Sequence, residues 1–244
     1  AAFHDIGDEG LTIEGWFWMD VFPAVGEVQT FFANPSKYGM GVGVARGRWG
    51  DDEWFDPEEP RSFGFVWTDE AEGATHTGIM GEADHRNPPL KEWFHVALQF
   101  HAEPPDLGRT YEHTPAFSFG LIEEFPWALP VGDEALYVAT PELGERDFGV
   151  VPETNVTVFK GLVDAVRVSN IARYDGRGAV RPRHFRRDKH TVALWTFDGA
   201  QPFADKSGNG HDLVGDGEIE PAPLAVRAGG KLATTWAAMK RAAR

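Results

Sequence analysis

The densest run of side chains able to do chemistry spans residues 49–60, where Asp51, Asp52, Glu53 and Asp56 are interleaved with Trp49, Trp54 and Phe55. Closely spaced carboxylates can hold a divalent cation, but this run lacks the Asp/Asn alternation, central Gly and twelfth-position Glu of an EF-hand. Two readings follow. One is a solvated acidic loop; the other is a ligand rim, in which Trp49, Trp54 and Phe55 offer flat apolar faces for sugar rings to stack on. Aromatics on a polar loop are less easily assigned to a core than aromatics on strands. A second group, Asp205-Lys206-Ser207-Gly208-Asn209, has turn chemistry, with Gly for an unusual backbone angle and Ser and Asn for local side-chain hydrogen bonds. The nine His are scattered, and G-x-S-x-G, H-E-x-x-H and P-loop signatures are absent.

Composition narrows the classes further. With no Cys among 244 residues there is no disulfide framework, thiolate zinc site, iron–sulfur cluster or cysteine nucleophile. No apolar run approaches the roughly 18 residues of a membrane span. The net charge of −15 argues against nucleic acid as a partner, and it is unevenly spread. Residues 1–150 hold 8 Lys/Arg against 28 Asp/Glu, a balance of −20, whereas residues 151–244 hold 15 against 10, a balance of +5. Such asymmetry suits a solvated acidic surface, cation capture or self-association of the acidic body with the basic part. The arginines of the basic stretch, among them Arg173, Arg183, Arg186 and Arg187, suit bidentate pairing with carboxylates of this chain or a neighbour.

Alternating apolar patterns place the elements that must position these groups. Strands are expected at residues 11–19, 39–44, 62–67, 93–100, 116–121, 157–159, 161–168 and 192–197, separated by Gly, Pro, Asn and Asp clusters. Many short strands with no long amphipathic helix between them give an all-β, two-sheet antiparallel sandwich. Trp16 and Trp18 share one face of their strand and are in or out together. The last residues, 231–244, are Ala-rich and basic and suit a short helix docked through Trp236 and Met239. The expected organisation is one domain over residues 1–225 and a basic tail over 226–244.

Four phrases carry a family resemblance. Leu11-Thr12-Ile13-Glu14-Gly15-Trp16 and Trp93-Phe94-His95-Val96-Ala97-Leu98 resemble the "T-I-E-x-W" and "W-h-H-V-A-l" strands of laminin-G-like jelly rolls in the concanavalin A-like lectin/glucanase superfamily. The run from Gly161 to Tyr174 is similar to "G-x-I-D-E-V-R-I-S-N-x-A-R-Y", and Leu194-Trp195 followed by Asp205-Lys206-Ser207-Gly208-Asn209 resembles "l-W-x-F-d … D-x-S-G-N". The resemblance spans about residues 11–214, with the D-x-S-G-N phrase last instead of first, as in a permuted strand order. It implies a structural Ca2+ at Asp205 and Asn209, with Asp164 as a further ligand where the family has Asp-Glu and this chain has Asp164-Ala165. The paired carboxylates of the glucanase branch are missing. Glu218 and Glu220 share a face but lack the third acidic residue.

The expectation is therefore a protein that is not an enzyme. It is read as an extracellular or cell-surface recognition module, lectin-like and calcium-supported, binding a glycan or cell-surface polymer. The alternative is a structural subunit of a homo-oligomeric assembly.

Overall fold

The fold was examined in a computed structural model, which describes residues 10–33, 40–46, 48–49, 62–68, 75–80, 88–100, 107–114, 117–124, 136–139, 150–151, 155–157, 159–174 and 182–214. Among these residues there are strands and no helix. Fourteen strands follow in chain order: β1 Leu11–Met19, β2 Glu27–Ala33, β3 Met40–Arg46, β4 Arg48–Trp49, β5 Ser62–Thr68, β6 Thr75–Met80 and β7 Trp93–Phe100; then β8 Leu107–Thr114, β9 Phe117–Glu124, β10 Tyr137–Val138, β11 Val150–Val151, β12 Asn155–Thr157, β13 Gly161–Ser169 and β14 Thr191–Trp195. The all-β expectation holds, and the sheets are antiparallel apart from a parallel contact of β12 with β2. The predicted tail over 226–244 lies outside the described residues.

The first sheet has the order β14-β13-β1-β7-β8-β9. The second runs β10-β2-β3-β5-β6, with β12 also on β2, and β4 pairs with β11 in a short ribbon. Period-2 alternation sends Leu11, Ile13, Phe17 and Met19 of β1, and Phe94, Val96, Leu98 and Phe100 of β7, into one apolar core. The second sheet supplies Phe31, Phe32 and Val44 to the same core. Phe17 sits at its centre, its ring centroid 4.8 Å from Phe31, 5.3 Å from Phe32 and 5.8 Å from Phe159. Consecutive strand residues normally point to opposite faces, yet Phe31 and Phe32 are both fully buried. A β-bulge explains this: Thr30 pairs with Gly43 and Phe32 with Val42, so Phe31 is the extra residue.

Two more bulges shape the first sheet. Trp16 pairs with Ala165 and Phe17 with Val163, which makes Asp164 the extra residue of the bulge in β13. Val168 pairs with Ala193 and Ser169 with Thr191, which makes Val192 the extra residue of β14. Close approach demands Gly at position 161, because a Cβ there would overlap the Trp18 carbonyl oxygen.

The other face of this sheet is closed by a strap, residues 170–174 and 182–190, that leaves β13 and returns into β14. Phe185 of the strap is buried with Ala165, Leu194 and Trp16, and Tyr174 packs on Ala97. Trp16 donates its Nε1–H to the Pro182 carbonyl at 3.1 Å. Trp16 and Trp18 do lie on the same face: Trp18 is buried outside the main core and stacks edge-on against Trp93.

Candidate functional site

Beneath the strap lies a buried cluster of ionisable side chains, one from each of four segments. Alternation puts Glu14 of β1, His95 of β7 and Arg167 of β13 on the strap face, in adjacent strands of the sheet. The β1–β7 register brings Trp16 opposite His95, and the β1–β13 register brings Glu14 opposite Arg167. Tyr174 descends from the strap. Glu14 and His95 are 0% exposed, and burying an unpaired charge at such depth would be severely destabilising.

Glu14 is satisfied at both oxygens. Arg167 donates to Oε1 from Nε at 2.8 Å and from Nη2 at 2.6 Å. His95 Nε2 lies 3.0 Å from Oε2, an arrangement that places the imidazole proton on Nε2, and the Tyr174 hydroxyl donates to the same oxygen. Arg173 Nε approaches Oε1 at 3.9 Å. Burial by itself pushes the Glu14 carboxyl upward, but His95, Arg167 and the Tyr174 hydroxyl outweigh it and hold the group below its ordinary value. Burial and the Glu14 charge together push the Tyr174 phenol far up, so it stays a donor. Beside this hub, the Gln99 side-chain amide treats the strap backbone as another strand: it donates to Tyr174 O at 2.8 Å and accepts from Tyr174 N at 2.7 Å. Thr12 adds a bond to Ile171 O at 2.7 Å.

At the sheet's edge, β14 meets a second carboxylate hub. Asp205 Oδ1 accepts from Leu194 N and Ser207 N, at 2.9 and 2.8 Å, and Oδ2 accepts from the Ser207 hydroxyl and His211 N, at 2.6 and 3.1 Å. These hydrogen bonds overcome the upward push of partial burial and lower the Asp205 pKa. Ser207 Oγ also lies 3.0 Å from the carbonyl oxygen of the bulged Val192, and Asn209 Nδ2 donates to both Thr191 O and Val192 O. Lys206 N closes on Leu194 O at 2.7 Å. The loop thus occupies the outward backbone groups of an edge strand, which would otherwise be open to pairing with another chain. Gly208, at φ +89°, permits the turn.

The sequence-predicted site residues fall as follows. Asp205 and Asn209 share the edge loop, while Asp164 occupies the β13 bulge. Asp205 receives four donors in this arrangement. Among the described residues no three His, Asp or Glu side chains converge as a metal-binding group. Trp49 belongs to β4, in register with Val150, and Trp54 and Phe55 lie outside the described residues. The Glu14 hub was not singled out as a site in the sequence, although a signal was present: Glu14, His95 and Arg167 are ionisable residues within strands rich in apolar side chains.

No protein-family profile matches this chain, and no curated protein does. Among solved structures it is similar to full-length tailspike protein 2 from Escherichia coli O157:H7 bacteriophage CAB120, at 14% identity and a TM-score of 0.43 over 68% of this chain. The enzymatically active domain of tailspike protein 2 from bacteriophage CBA120 gives the same identity, TM-score and share of this chain. The chain spans 20% of the first of these proteins and 23% of the second.

Proposed function

We propose that the chain is a non-catalytic recognition module of the extracellular space or cell surface, binding glycans in the manner of a lectin. In this reading its two sheets are the halves of a concanavalin A-like jelly-roll sandwich. The supporting observation is the state of the Glu14 hub. A general acid or base must reach a substrate proton, whereas Glu14 and His95 are 0% exposed beneath the strap and both Glu14 oxygens are filled by protein donors. The ionisable cluster acts as a structural fastener, and the ligand falls to the aromatics Trp49, Trp54 and Phe55. A glycan array run with the wild-type chain and with Trp54→Ala and Trp49→Ala tests this. Signal that is lost in the variants supports the reading. Absence of signal in the wild type, or release of new reducing ends from a bound glycan, removes it.

Calcium belongs to the same proposal. It would enter at Asp205 and Asn209, in exchange for a donor such as the Ser207 hydroxyl, with Asp164 as a further candidate ligand. A melting temperature unchanged by EDTA and by added Ca2+ eliminates the ion.

The second reading is a subunit of a homo-oligomeric assembly. It is favoured by the exposed strap cations that have no carboxylate partner among the described residues, on a chain with a net charge of −15. Light scattering that finds a strict monomer, with and without calcium, removes it.

A further inference from the structure

The outward side of the strap is a row of basic side chains. Residues 182–190 read Pro-Arg-His-Phe-Arg-Arg-Asp-Lys-His, and Arg183, His184, Arg186, Arg187, Asp188 and Lys189 are all exposed. Asp188, the acid in this row, is already committed: Arg173 grips it with two bonds, Nη1 to Oδ2 at 2.9 Å and Nη2 to Oδ1 at 2.8 Å. Arg187 donates from Nη1 to the neutral Ser207 carbonyl at 3.3 Å and has no carboxylate partner among the described residues. Among the described residues, Arg183, Arg186 and Lys189 have no carboxylate within ion-pair distance. Four such cations therefore stand along at most about 20 Å of chain, on a protein with a net charge of −15.

The strap beneath them is anchored through the backbone of Pro182, Arg186, Asp188 and His190 and through the Phe185 ring. Pro182 O accepts from Trp16, Phe185 is buried under the Arg167 guanidinium at 4.9 Å, and Arg186 O accepts from Arg167 Nη1 at 3.2 Å. Asp188 N donates to Thr191 Oγ1 at 3.0 Å, and His190 O accepts from Asn170 N at 3.0 Å. The hub below and the row above share residues, since Arg167 holds both Glu14 and the strap carbonyl. A row held this way loses little conformational freedom when a partner docks.

We infer that this row, Arg183, Arg186, Arg187 and Lys189, is a docking surface for the acidic body of a second copy of the chain. Charge complementarity selects the occupant: residues 1–150 of each copy carry a balance of −20, and guanidinium forks match carboxylates bidentately. The like net charge of two copies opposes their approach at long range, so the contact is local and strongly dependent on salt. The inference rests on the assembly reading above and gives that assembly a defined surface.

The experiment is sedimentation velocity on the full chain at about 0.15 M and about 1 M salt, where the screening lengths are about 8 Å and 3 Å. It compares the wild type with Arg183→Glu/Arg186→Glu/Lys189→Glu, three positions whose side chains face solvent. Binding of fluorescent polyglutamate and of heparin is measured alongside, and a thermal melt confirms that the variant folds. Self-association at the lower salt that weakens about 100-fold in the variant and at high salt, as several charge pairs acting together imply, supports the inference. An oligomer equally strong in the variant overturns the surface while leaving the assembly reading intact. A strict monomer overturns both, and a monomer that binds heparin through the row reassigns it to a foreign polyanion.

Discussion

Two carboxylates organise this protein, and they do so by opposite means. Glu14 closes a sheet face. Its partners are separated from it by 81, 153 and 160 residues in sequence and bond it through ionisable side chains, and all are buried. Asp205 closes a sheet edge. Its partners are 2, 6 and 11 residues away, and they are backbone N–H groups and one hydroxyl at a half-buried site. The first is an ion cluster taken out of water, which is stable only as a complete set. The second is a turn whose hydrogen bonds replace those of a missing neighbouring strand. A buried ion therefore carries the larger penalty when its set is broken, and the local turn carries the larger tolerance.

The largest expected effect follows from breaking the first hub. Glu14→Gln or Arg167→Ala each leaves a buried charge uncompensated and should lower the unfolding free energy by about 3–5 kcal/mol, measured by denaturant titration. Set against its own single variants Glu14→Leu and Arg167→Met, the double variant Glu14→Leu/Arg167→Met should lose less than the two single losses added together, because neither ion is left without the other. Strict additivity in that cycle would refute the coupling.

Acidification probes both hubs together. Glu14 and Asp205 have folded pKa values held below their ordinary values of 4.5 and 3.8. A depressed carboxylate contributes stability that is complete above its unfolded pKa and is lost as pH falls through its folded pKa. The melting temperature should therefore hold steady near neutrality and fall below about pH 4–5. The fall should be shallower in Glu14→Gln, which has no proton to take up at that position.

Smaller effects belong to the edge. Asp205→Ala orphans the amide groups of Leu194, Ser207 and His211 and should cost about 1–3 kcal/mol. Its Leu194 amide should then exchange with deuterium faster, whereas amides of β1 should not change. An equal or larger loss than at Glu14 would invert the comparison. Smallest of all, Asp188→Asn weakens a partly exposed ion pair, with Asp188 45% and Arg173 12% exposed, and should change stability by about 1 kcal/mol, with the difference shrinking at high salt.

The two hubs also differ in how far the sequence discloses them. The edge loop was legible as turn chemistry in Asp205-Lys206-Ser207-Gly208-Asn209, because its donors and acceptors are neighbours in the chain. What the loop attaches to, the bulged Val192 and the edge of β14, was not legible there. Strands with aromatic and β-branched alternation, β1, β5 and β7, stood out with nearly their observed bounds. β6 and β8, with sequences Thr-His-Thr-Gly-Ile-Met and Leu-Gly-Arg-Thr-Tyr-Glu-His-Thr, carry little apolar period, and their strand state rests on pairing with β5 and with β7 and β9. Phe31 and Phe32 entering one core likewise depends on a bulge that no local pattern announces.

By itself, the sequence determined that this chain would form strands, that Trp16 and Trp18 would share a face, and that residues 205–209 would turn. Each of these depends on period-2 geometry or on hydrogen bonds spanning a few residues. Only the tertiary structure decided that Glu14, His95, Arg167 and Tyr174 meet, that the strap seals them from water, and that Arg183, Arg186, Arg187 and Lys189 are left facing outward. A carboxylate in a strand carries no mark of its partner when the partner lies 153 residues away. Sheet order and register bring the two together, and the penalty for a buried unpaired charge then keeps them paired.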